Sequence, residues 1–155
     1  MTKRHINMRL KCRYESDKNT ISRLEVEHET GGEWKALDLD ASTPGFDIFV
    51  YAMFHCQHTY FRINCAERGL LLDSAEGDIR VSADEDWKLL DMTVNFTGEL
   101  ESGQASQADI DFIVARMQQC PVSRNVNTPA SAHTSISLVS KQGQARRHQD
   151  PEAVI

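Results

Sequence analysis

Between Gly45 and Gly69 the chain runs without a glycine or a proline, and this uninterrupted stretch limits the available folds more than any other feature. Pro44 suits the first turn of a helix and Gly69 its C-terminal stop, so segment 44–69 reads as one long helix. On a helical wheel Phe46, Phe49, Val50, Met53, Phe54, Tyr60 and Phe61 form one stripe, flanked by Ile48, Ala52, Cys56 and Ile63. Together these residues cover about 240° of the circumference, wider than the apolar stripe of a surface helix. The segment is therefore expected to be the buried spine of the fold. One small domain can hardly cover such a face, which leads to the expectation of an obligate homodimer.

The segments around this helix alternate with period two. Ile6, Met8, Leu10, Cys12 and Tyr14 interleave with Asn7, Arg9, Lys11, Arg13 and Glu15, the pattern of a strand with one buried face. Leu24, Val26 and His28 continue it, and Trp34, Leu37 and Leu39 follow a Gly31-Gly32 turn that suits a hairpin. After the helix, Ile79, Val81 and Ala83, and then Met92, Val94, Phe96, Gly98 and Leu100, mark two more strands. Ser106 and Asp109 form a capping box ahead of Ile110, Ile113, Val114 and Met117, so a second helix is expected to end near Gln119. A short strand carrying Ile136 and Leu138 precedes a polar stretch. Strands, long helix, strands, helix and strand favour a segregated α+β domain over a parallel βαβ winding. The expected division is a domain over 1–140 and a polar C-terminal tail over 141–155.

A chain of 155 residues fits one domain with a sizeable core. Its formal charge of -6, with acidic and basic residues interleaved, gives no extended basic surface for a phosphate backbone, so nucleic acid is not an expected partner. The start, MTKRHINMRLKCRYESDK, lacks the apolar run of a signal peptide or a membrane span. The expected location is the cytoplasm, where the cysteines at 12, 56, 65 and 120 would be reactive or merely buried thiols rather than structural bridges.

Chemistry centres on Cys56 and Cys120. Pro121 favours the first helical position, which sets Cys120 near an N-cap where backbone N–H groups and the helix dipole lower a thiol pKa. The competing reading is a small apolar residue closing the face begun by Ile113 and Met117. Cys56 lies beside the apolar stripe of the long helix, where a cysteine commonly serves as a small hydrophobe. Cys65, nine residues on, falls about 180° around the same helix and cannot pair with it. His55 and His58 share a polar seam in HCQH, but no CxxC or HExxH completes a zinc ligand set, so they read as surface histidines and no metal is expected. No GxSxG of a Ser-His-Asp hydrolase appears, and no GxGxxG or GxxxxGK[ST] phosphate loop, so nucleotide-dependent chemistry is not supported.

A cysteine midway along a long helix, followed about sixty residues later by a helix ending in CPVS, resembles the OsmC/Ohr family. The likeness covers most of the chain: PGFDIFVYAMFHC, GDIRVSAD, MTVNFTGEL, ADIDFIVARMQQCPVSRNV and HTSISLV. It implies an OsmC-like fold, with antiparallel strands around a long buried central helix, and an intertwined homodimer. It further implies thiol peroxidase activity toward organic hydroperoxides or hydrogen peroxide. Cys56 then maps to the peroxidatic thiol and Cys120 to the resolving one, with an external dithiol as reductant and neither metal nor organic cofactor. Where that family carries a glutamate about three turns before the first cysteine, this chain has Phe46, with Asp47 one position on. Arg13 is the nearest candidate for the family's N-terminal arginine, ahead of Arg9 and Arg23. The alternative is a catalytically weak or inactive OsmC-like protein that binds a small molecule, with Phe46, Phe49, Tyr51 and Phe54 lining its pocket.

Overall fold

The computed structural model describes residues 2–126, 134–139 and 145–150, in two compact units, Met1–Ser123 and Arg124–Ile155. In the first unit, β1 (Arg4–Glu15), β2 (Thr20–Thr30), β3 (Glu33–Ala36), β4 (Leu72–Ala83) and β5 (Leu89–Leu100) form one antiparallel sheet in the order β3-β2-β1-β4-β5. Helix α1 (Gly45–Glu67) lies on one face of it, against β1, β4 and β5, and α2 (Gln107–Met117) packs along α1. A short helix α3 (Pro121–Asn125) follows. This is the α+β arrangement of antiparallel strands around a long buried helix.

Alternation decides which side of β1 meets the helix. Met8, Leu10, Cys12 and Tyr14 are buried, while Lys11 and Arg13 face away and are exposed. The helix answers with Val50, Met53, Phe54, His58, Phe61, Asn64 and Cys65. Each large apolar side chain buried there stabilises the fold by about 1.5–3 kcal/mol. Phe96 of β5 stacks on Phe54, His58 and Phe61 with ring centroids 5.7, 5.7 and 5.1 Å away. It can lie over β4 because its cross-strand partner is Gly77, where a Cβ would stand 2.5 Å from the ring.

Helix α1 ends as its sequence indicates. Gly69 adopts φ 73°, its N–H donates to the Ala66 carbonyl, and the Leu70 N–H donates to the Cys65 carbonyl, a Schellman arrangement. Buried Asn19, in the β1–β2 turn, ties this end to the sheet: its amide donates to the carbonyls of Arg62 and Leu70, and its Oδ1 accepts from the Leu72 N–H. Ser106 and Asp109 close the capping box of α2 in both directions, and Arg68 at the end of α1 pairs with Asp109 at 2.7 Å.

Strands β2 and β4 begin earlier than alternation alone suggests. The first half of β4 points Ala75 and Gly77 inward, so the buried side there is small rather than oily, and its pattern is faint in the sequence. In the second unit β6 (Thr134–Val139), the expected final strand, pairs with β7 (Ala145–Asp150), which falls in the stretch read as a polar tail. The expected boundary between 140 and 141 and residues 151–155 lie outside the described residues. Among the described residues no helix is long and apolar enough to cross a membrane.

Candidate functional site

Helix α2 runs back along α1 and brings the two cysteines of interest together. The Met117 carbonyl, at the end of α2, accepts from Gln57 Nε2 at 3.0 Å and from the Cys120 N–H at 3.2 Å. This turn sets Cys120 beside Cys56, near enough that each thiol acts on the titration of the other. Both are free thiols, Cys56 half-buried and Cys120 fully buried.

The surroundings of the two sulfurs differ. Cys120 Sγ accepts from the Ser123 N–H at 3.3 Å and lies 3.0 Å from Ser123 Oγ and 3.8 Å from Gln57 Nε2. Ser123 Oγ accepts from Gln57 Nε2 at 2.7 Å and lies 3.1 Å from Met53 Sδ. Burial opposes a charge on Cys120, but hydrogen bonds from Cys56, from the Ser123 hydroxyl and from the N–H groups of Ser123 and Val122 outweigh it, and the pKa is lowered. Burial raises the Cys56 pKa, its hydrogen bond to Cys120 raises it further, and the Val122 N–H only partly offsets them. The cause of this lowering is the set of donors rather than a helix dipole. A five-residue helix supplies little macrodipole.

His58 corrects the sequence reading. It is 1% exposed, stands among Phe54, Phe61 and Phe96, and its Nε2 is 2.6 Å from the Tyr14 hydroxyl. Burial first, then the charges of Arg62 and His55, push its pKa down to about 4. His55 remains on the surface beside Tyr51, so the two histidines share no polar seam. Among the described residues no group of three or more His, Cys, Asp or Glu side chains is placed to hold a metal ion. The other two thiols face the sheet side of the core. Burial raises Cys12 against a Tyr14 hydrogen bond, and burial pushes Cys65 up to about 11.

Arg13 lies on the outer face of β1, with Asp73 at 3.5 Å, so within the chain the sheet stands between it and the thiol pair. Arg9 and Arg23 share that face, paired with Glu27 and Glu25. Phe46 packs on Phe49 and on Trp87, and the Arg4 guanidinium lies 4.3 Å from the centre of the Trp87 ring. Phe54 is completely buried in the core, so it lines no accessible pocket with Phe46, Phe49 and Tyr51. An apolar cavity of about 370 Å³ among the described residues lies between α2 and β5, lined by Phe61, Phe96, Ile110, Ile113, Val114 and their neighbours, and neither thiol of the pair lines it.

Gln57 and Ser123 are the site residues that sequence reasoning missed. Both stood inside quoted motifs, HCQH and CPVS, and the available signal was that each is a short polar side chain one helical turn or less from a cysteine.

No family model matches the chain, and no curated protein matches it. Among solved structures, the chain is similar to an OsmC-like hydroperoxide resistance protein from Jannaschia sp. CCS1. The TM-score is 0.58 at 12% sequence identity, over 92% of this chain and 99% of that one. At this identity the likeness establishes the fold, which is OsmC-like.

Proposed function

We propose that the protein is a thiol-dependent peroxidase that reduces organic hydroperoxides or hydrogen peroxide through Cys56 and Cys120. The observation that carries this reading is the meeting of two free thiols from distant parts of the chain, one partly accessible and the other buried beside it. The OsmC-like fold, shared with a hydroperoxide resistance protein, supports it.

Cys56 is the sulfur that a hydroperoxide meets first. Its thiolate attacks the terminal peroxide oxygen, the O–O bond breaks, and the alcohol leaves with a proton while Cys56 becomes a sulfenic acid. The Cys120 thiolate then attacks the Cys56 sulfur, forming the disulfide and expelling hydroxide. Two electrons have passed from the thiol pair to the peroxide, and an external dithiol returns them by exchange. Burial of Cys120 keeps its sulfur from the oxidant and reserves it for this second step. Arg13 would join the site only as a residue presented by a second copy in a homodimer, because its own sheet separates it from the pair. Four free thiols suit a reducing cytoplasm.

The test is single-turnover oxidation of the two serine variants. Cys56→Ser should consume no alkyl hydroperoxide. Cys120→Ser should consume one equivalent and accumulate sulfenic or over-oxidised Cys56. Oxidation of Cys120 in the Cys56→Ser protein at the wild-type rate would reverse the roles.

A second reading, a small-molecule binding protein without catalysis, draws on the apolar cavity between α2 and β5. It becomes the better account if neither wild type nor variant consumes peroxide while an apolar fluorophore binds both and is displaced by Ile113→Arg.

A further inference from the structure

The hydroxyl of Ser123 has two sulfur neighbours and one proton. Its oxygen accepts from Gln57 Nε2 at 2.7 Å, so that position is held. What remains free is the direction of its O–H, either toward Cys120 Sγ at 3.0 Å or toward Met53 Sδ at 3.1 Å. A thiolate is a far better acceptor than a thioether. When Cys120 is ionised, the O–H points at Cys120. When Cys120 carries a proton, its S–H donates to Ser123 Oγ and the O–H turns to Met53. Each protonation state of Cys120 thus has a complete set of hydrogen bonds, although the sulfur is fully buried.

We infer that Ser123 is a positioning residue that lets Cys120 serve as proton acceptor for Cys56, its hydroxyl turning from Cys120 to Met53 as the proton of the pair crosses. The inference rests on the peroxidase reading for its consequence, though not for its geometry. In the resting pair the Cys56 S–H donates to the Cys120 thiolate. Transfer of that proton leaves Cys56 as thiolate and Cys120 as thiol. Attack on the hydroperoxide makes the Cys56 sulfenic acid and an alkoxide, which takes the proton back from Cys120. The Cys120 thiolate so regenerated closes the disulfide and releases hydroxide. One proton and one negative charge shared by two sulfurs serve both steps. No lysine, arginine or carboxylate is among the larger influences on either sulfur, so the hydrogen-bonding set and the partner sulfur set the activation. Gln57 holds the set to α1 and to the end of α2.

The experiment is a titration of thiolate ultraviolet absorbance in the absence of peroxide, so that its outcome is separate from that of the peroxidase reading. Wild type should show one thiolate forming below the ordinary thiol range of about 8.5. Cys120→Ser should lose it, and Cys56→Ser should keep it with an upward shift from loss of one donor. Ser123→Ala should raise the midpoint by about one pH unit, and Ser123→Thr should restore it. Met53→Leu, a swap of similar volume, removes the alternative acceptor and should leave the midpoint at or below the wild-type value. With alkyl hydroperoxide, Ser123→Ala should oxidise about tenfold more slowly at neutral pH and converge with wild type in alkali, following the same midpoint shift. A low-titrating thiolate that survives in Cys120→Ser, its absence from wild type, or a Met53→Leu midpoint raised as far as that of Ser123→Ala would each overturn the inference. If the titrations agree but wild type consumes no peroxide, the proton sharing stands and the peroxidase reading fails.

Discussion

The Tyr14 hydroxyl and the His58 ring share one proton across 2.6 Å in a core stacked with aromatic rings, and that core disfavours a second. Folded His58 titrates at about 4, against about 6.5 for an unperturbed histidine. Between those values the unfolded chain binds a proton that the folded chain refuses, so stability rises with pH across this window. The contribution is fully present above pH 6.5 and is lost as the pH falls toward 4, about 3 kcal/mol in all. Urea unfolding of wild type at a series of pH values should show this slope. His58→Phe, whatever its stability at neutral pH, should lose that part of it. An unchanged slope would mean that His58 accepts a proton freely in the folded chain.

Two elements hold the frame that brings the thiols together. Gly77→Ala would place a methyl 2.5–2.6 Å from the Phe96 ring and force it off Phe54 and Phe61, so urea unfolding should find about 1–3 kcal/mol of destabilisation. Ser106→Ala opens the capping box of α2 at a cost of about 1 kcal/mol, measured the same way. The strands and helices were legible because burial on one face writes itself as alternation or as a stripe, as in β1 and α1. The first half of β4 was faint because Ala75 and Gly77 are chosen for smallness. His58 stands four residues after Phe54 and three before Phe61, on the face they define. The adjacent His55 and Cys56 give the same segment the look of ligand spacing, which masks that facial position. At the candidate site the sequence singles out Cys56 by its place on α1 and Cys120 by the proline that opens the next helix. The Gln57–Ser123 contact was not, because no local pattern registers a bond between residues on separate elements.

For the whole molecule, the apolar surface left uncovered within one chain bears on assembly. Ile48, Ile63, Leu90, Ile110 and Val114 are each at least 40% exposed, spread over α1, α2 and β5. A second copy covering them would account for the width of the apolar face on α1 and could bring Arg13 to a thiol pair from which its own sheet separates it. Sedimentation equilibrium at micromolar concentration should give twice the chain mass, and a strictly monomeric mass would remove the homodimer. The central claim, that Cys56 and Cys120 act as one redox pair, is tested most directly by peptide-mapping mass spectrometry of the wild-type protein after one equivalent of alkyl hydroperoxide. The account predicts a single disulfide joining Cys56 to Cys120, with Cys12 and Cys65 still reduced; a protein with no such disulfide and no oxidised Cys56 would contradict it.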